Sequence, residues 1–274
     1  MKQIFLTSKI ISRTILASAL AVMMFTVSCQ KEACGPNTKT SPSADVTAKT
    51  KRMQDLSKKA LRDFTVSLAN GSTTNTNGSG SSTWSSGVSM TTYSTPSSNV
   101  YVWSDPSEGV TFTLTESTGG SGIGQLSVNG SDFDYNYVLS IRSDGDPTWN
   151  GFLNGPNLRG VVAIQGEIDG TDFSLHSIAF FLVGTNGGSG TYEFMDWETT
   201  GIGSGTAIGE VIDLTNVTGN GATLSGLGDA GTIYFTSGGH IDVSDNSFDM
   251  TSDSKVKDIA NGTEYPISGS IMFE

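Results

Sequence analysis

Side chains suited to catalysis are scarce in this chain. It holds two histidines, His176 and His240, and two cysteines, Cys29 and Cys34. Two histidines exclude a three-histidine zinc centre, and neither His-Glu-x-x-His nor Cys-x-x-Cys spacing occurs. No Gly-x-Ser-x-Gly elbow is present, so the serine-hydrolase signature is missing. The glycine-rich runs at 120–124 and 201–205 miss the phosphate-loop spacing and open no predicted helix. Basic residues are equally sparse beyond position 70. Residues 71–274 carry four of them, Arg142, Arg159, Lys255 and Lys257, against 23 acidic residues. So acidic a body repels phosphate backbones, which argues against nucleic acid as a partner. Both cysteines lie near the N-terminus, so no internal disulfide framework can staple the fold, and an apolar core must hold it.

What is present begins at the N-terminus. Lys2, Lys9 and Arg13 precede an apolar run that stops at Cys29. A basic start and a short apolar centre predict a secretory signal over residues 1–28, too short to be a spanning helix. Thr26-Val27-Ser28-Cys29 resembles a bacterial lipobox, in which small residues precede an acylated cysteine. Ser28-Cys29-Gln30-Lys31-Glu32 resembles the lipoprotein signals of Bacteroidota. These resemblances imply lipidation at Cys29 and an outer-membrane lipoprotein, displayed at the cell surface and partnered to the membrane through its anchor. Two or three acyl chains hold firmly where one does not, since each buried methylene contributes about 0.8 kcal/mol.

The mature chain divides by pattern. Residues 29–44, with Gly35, Pro36, Pro42 and neighbouring serines, read as a lipidated tether. Over 45–70, Val46, Met53, Leu56, Ala60, Phe64 and Leu68 recur at helical spacing, with Asp45 placed to cap and Gly71 to stop. The polar side of this amphipathic helix carries Lys49, Lys51, Arg52, Lys58, Lys59 and Arg62. Such a helix can lie on anionic headgroups or pack its stripe against the acidic body. Residues 71–99, rich in Gly, Ser, Thr and Asn, predict a linker, flexible over 71–82 and with an irregular first strand over 85–99.

From Val100 the period becomes two. Val110, Phe112 and Leu114 alternate with threonines, and Phe133, Tyr135, Tyr137, Leu139 and Ile141 share one face of a predicted strand. Asn129-Gly130, Asp169-Gly170, Gly238-Gly239 and Asn261-Gly262 separate strand pairs as hairpin turns. Residues 178–183 are apolar on both faces, which predicts a central strand covered on both sides. Three runs open alike, at Gly190, Gly231 and Gly269, and read as strand starts. The predicted fold class is all-β, an antiparallel β-sandwich or barrel over residues 100–274, preceded by the one amphipathic helix. Residues 126–273 also resemble a group of Bacteroidota lipoproteins of unknown function. The likeness rests on Ser127-Val-Asn-Gly-Ser-Asp-Phe133, Ser189-Gly-Thr-Tyr-Glu-Phe194 and the closing pair that begins at Gly231 and Ile267. It implies the β fold and the anchor and supplies no activity.

Acidic pairs and tryptophans are the remaining chemistry. Asp144 and Asp146, and Asp242, Asp245 and Asp249, are the densest acidic loop clusters and the candidate calcium ligands, though neither follows EF-hand spacing. Trp149 stands in a turn-like run, where an exposed ring can stack on a sugar; core filling is its structural alternative. The leading expectation is a non-catalytic β domain that binds a glycan or a surface protein, or serves structure, with no resident cofactor. A carbohydrate-active hydrolase using paired carboxylates is the alternative. A lipocalin-like carrier of an apolar ligand is the third class.

Overall fold

The computed structural model describes residues 79–83, 89–105, 110–119, 122–144, 157–169, 172–185, 188–196, 205–220, 223–225 and 230–273. The expected signal, Cys29, the expected tether and helix over 29–70, Asp146 and Trp149 lie outside these ranges, and the side chain of Asp144 is likewise not described. Among the described residues there are seventeen strands and no helix. The fold is all β, one large and mostly antiparallel sheet.

The strands begin earlier than the change of period implies. β2 (Ser89–Ser94) falls in the stretch 85–99 where an irregular first strand is expected; β1 (Ser79–Thr83), within 71–82, pairs with it, and β2 pairs onto β3 (Ser98–Asp105). Serine and threonine carry no apolar signal here, but their backbones complete a ladder started by stronger neighbours. β4 (Val110–Ser117) follows, with Val110, Phe112 and Leu114 buried as the alternation predicts. β5 (Gly124–Val128) and β6 (Ser131–Tyr135) form the hairpin at Asn129-Gly130, whose φ values of 52° and 78° are those of a tight primed turn. β7 (Tyr137–Asp144), β8 (Asn157–Asp169) and β9 (Asp172–Thr185) then run as an antiparallel meander.

The second half comprises β10 (Gly190–Phe194), β11 (Thr206–Asn220), β12 (Thr223–Ser225), β13 (Ala230–Gly238), β14 (His240–Val243), β15 (Ser247–Met250), β16 (Lys255–Asp258) and β17 (Glu264–Met272). β9 sits between β8 and β11, with Ile178, Ala179, Phe181, Leu182 and Val183 buried and Phe180 half-buried. This is the doubly covered central strand expected from its sequence. The β16–β17 hairpin at Asn261-Gly262 also forms.

Three details depart from the sequence reading. Gly238-Gly239 makes no hairpin: β13 pairs with β11 and β16, while β14 pairs with β10 and β15. Gly239, at φ 85°, instead kinks one continuous path where it crosses the backbone of Asp253, too close for any Cβ. Gly269 does not open a strand but lies inside β17, packed against the carbonyl of Gln125 on β5. Nor does the run 133–141 keep one face. Phe133, Tyr135 and Val138 share a core cluster, so the alternation slips by one at Asn136, between β6 and β7.

Following the hydrogen-bonded neighbours gives a closed circuit. β5 pairs with β6, which continues into β7; β7 pairs with β8, then β9, β11, β13, β16 and β17 follow, and β17 returns to β5. One core cluster on these strands and β15 includes Tyr135, Phe181, Phe248, Leu126 and Ile271, all fully buried.

Candidate functional site

A shallow, open depression among the described residues lies where bulges interrupt neighbouring ladders. On β8 and β9, Gln165 pairs with Ser177 and Gly166 with Leu175, which leaves His176 as an extra, exposed residue. On β11 the partner of Ser177 is Asp213, but Leu175 is met only by Val217. Extra residues bend and splay strands, and such interruptions favour sites because they re-aim side chains. The resulting open groove, about 450 Å³, is lined by Ser131, Asp132 and Phe133 from the start of β6, Gln165, His176, Asp213 and Leu214.

A buried polar pair adjoins it: Ser177 stands opposite Gln165 and Asp213, both of which line the groove. The hydroxyls of Tyr135 and Ser177 meet at 3.3 Å, and both residues are fully buried. Burial pushes the Tyr135 phenol well above its usual range, with the Asp213 carboxylate adding to the rise against the Ser177 hydrogen bond. Asp213 is half-buried, and that desolvation raises its carboxyl above the ordinary 3.8. Carboxylates, an amide, an imidazole and a hydroxyl thus converge on one opening. Among the described residues that line it there is no lysine or arginine, while Asp132 and Asp213 are both present.

Of the described acidic residues singled out from sequence, two face each other and the third turns to arginines. Asp242 and Asp249 stand directly opposite each other across β14 and β15. Each accepts a hydroxyl hydrogen bond, Asp242 from Thr191 and Asp249 from Ser247. Asp245 points elsewhere, with a carboxylate oxygen 3.7 Å from Arg142 and 3.9 Å from Arg159. Arg159 itself is buried and donates to the Ser244 carbonyl at 2.8 Å and the Asp245 carbonyl at 3.2 Å, clamping the β14–β15 turn. Among the described residues no group of three or more His, Cys, Asp or Glu side chains is arranged to hold a metal.

His240 meets Asp253 at 2.7 Å, and Thr251 also donates to that carboxylate. Ser254 donates to the His240 carbonyl, which the Thr251 hydroxyl also approaches at 2.7 Å, so this cluster ties the Gly239 kink to the turn between β15 and β16. Its hydrogen bonds, those from Thr251 and His240 foremost, hold the Asp253 carboxyl below the ordinary 3.8.

Of the groove residues the sequence set His176 apart, as one of two histidines, but it did not link His176 to Ser131–Phe133, Gln165 or Asp213, which lie far from it in the chain. Asp213 directly follows Val211 and Ile212, with Glu210 just before them, so no local pattern sets it apart. No protein-family model, curated protein or solved structure matches this chain.

Proposed function

We propose that this chain is an exported lipoprotein, moored to the outer membrane by acyl chains on Cys29, whose β body binds a neutral glycan or a polar segment of a surface protein. The signal over residues 1–28 and the Cys29 motif support the mooring. The bulge-built groove, with Asp132, Gln165, His176 and Asp213 converging on it, carries the binding. The closed circuit of strand neighbours favours a barrel over an open sandwich. Side chains such as Tyr135, Phe181 and Phe248 are fully buried in one core cluster, which favours a surface binder over a carrier of apolar ligands. Trp149 is a second proposed contact for sugar, by stacking.

Glycan-array binding by the full mature protein tests this reading. Asp213→Ala and His176→Ala should each weaken binding about tenfold or more, the loss of one or two hydrogen bonds to ligand. Absence of binding to any glycan or surface-protein extract, or binding indifferent to both substitutions, would count against the groove. Intact-mass analysis of membrane-extracted protein tests the anchor: a chain that begins at Cys29 and carries fatty acyl mass is expected.

One observation favours a hydrolase as the second reading. Asp132 and Asp213 share the groove, and the raised carboxyl of Asp213 is the condition a general acid needs. Under that reading, release of reducing sugar ends in both Asp132→Asn and Asp213→Asn while binding persists. Binding without turnover in the wild type leaves the binder.

A further inference from the structure

The central strands are apolar on both faces, and the core cluster accounts for one of them. Cross-strand register defines the other. Trp103, Phe112, Ile141, Leu182 and Ile208 follow one another across β3, β4, β7, β9 and β11, with Gly160 of β8 between Ile141 and Leu182. Two residues along, Leu114, Leu139 and Val162 continue the same face. The intervening row holds Val161 and Phe181, which belong to the core cluster, so these apolar rows face away from it. Their side chains are nonetheless 0–6% exposed. A sheet face this apolar and this inaccessible has a cover.

We propose that the amphipathic segment 45–70 lies across this outer face, with Val46, Met53, Leu56, Ala60, Phe64 and Leu68 turned inward. Three features of the chain select that occupant. The segment has the helical apolar stripe that a flat apolar face requires, whereas residues 71–78 are Gly, Ser, Thr and Asn. Its length fits. As a helix it extends about 39 Å, against about 24 Å across six strands. Its exit is also in place. The eight residues 71–78 join it to β1, two strands from β3 at the edge of this sheet, and they span at most about 26 Å. Packed this way, the segment directs Lys51, Lys58, Lys59 and Arg62 outward on an otherwise acidic body. The anchor-proximal surface of the protein becomes its basic one, suited to anionic headgroups.

Hydrogen exchange read by mass spectrometry on the full mature protein tests the arrangement, without lipid and at low protein concentration. Backbone amides of 45–70 should exchange at least about tenfold more slowly than a free peptide of the same sequence. The double substitution Leu56→Asp and Phe64→Asp should abolish that protection and raise binding of an apolar fluorescent dye. Lys58→Glu, on the polar side, should change neither. The wild-type measurement decides the matter even if the stripe variant fails to fold: exchange at the free-peptide rate overturns the proposal. Protection that disappears on dilution to monomer would assign the face to a second copy. Protection that appears only with phosphatidylglycerol vesicles would assign the segment to the membrane. Either result overturns the proposal.

Discussion

The side chain of Asn136 takes the place of a peptide unit against Gly166. Its Nδ2 donates to the Gly166 carbonyl at 2.6 Å, and the Gly166 amide donates to its Oδ1 at 3.0 Å. The Asn136 backbone is engaged as well, donating to Ile164 at 3.0 Å and accepting from Ser117 at 2.9 Å. Asn136 therefore joins β6, β7, β8 and the end of β4 at the point where the alternation slips. On the opposite edge of β8, Gly166 is a bulge partner that shapes the groove. One asparagine thus secures both the change of face and the bulge beside the proposed binding site.

Asn136→Ala leaves the Gly166 amide and carbonyl without these partners in a buried setting. It should destabilise the fold by about 1–3 kcal/mol, read as a lowered urea midpoint at unchanged slope. Asn136→Asp should lie in the same range, because the carboxylate lacks the amide donor. A midpoint unchanged in Asn136→Ala would show that the junction adds nothing.

Gly209 is required for space rather than for backbone conformation. A Cβ there would enter the ring of Phe181, its cross-strand partner, and press on Thr236, whose hydroxyl accepts the Gly209 amide at 2.9 Å. Gly209→Ala should cost about 1–3 kcal/mol through overpacking. Combined with Phe181→Leu, the loss should be smaller than the sum of the two single effects. Strict additivity in urea denaturation would refute the steric explanation.

Two aspartates give opposite acid responses. The folded pKa of Asp253 is lowered, so its stabilisation is present above the ordinary 3.8 and fades as pH falls through the lower folded value. Asp213 is raised, so ionising it disfavours the fold. Its contribution is greatest below 3.8 and is lost as pH rises through its higher folded value. Asp253→Asn should therefore lower the melting temperature at neutral pH and converge on wild type in strong acid. Asp213→Asn should raise it at neutral pH and converge likewise. Melting curves between about pH 2 and pH 7 decide both, and a wild-type profile in both variants would contradict them.

Arg159 acts as a clamp through the fork of its guanidinium. Arg159→Lys keeps the charge but cannot serve two carbonyls in the same geometry. A loss of about 1–3 kcal/mol is expected, with faster hydrogen exchange at Ser244–Ser247 than in the wild type. Unchanged exchange there would remove the clamp.

The alternation of Val110–Leu114, the doubly apolar run 178–183 and the turns at Asn129-Gly130 and Asn261-Gly262 determined strands and hairpins without any coordinates. These are local properties: period two, burial on both faces and positive φ are each written within a few neighbouring residues. The proposed export and acylation signal is likewise a linear address, written within residues 1–32. The slip at Asn136, the kink at Gly239 and the closure of β17 on β5 depended on the tertiary structure. Each is decided by which backbone lies opposite, and partners such as Asn136 and Gly166 are thirty residues apart. The groove arose at the same level. His176 and Asp213 converge because strands of unequal length were held in register on either side of them, a condition that no single stretch of the chain contains.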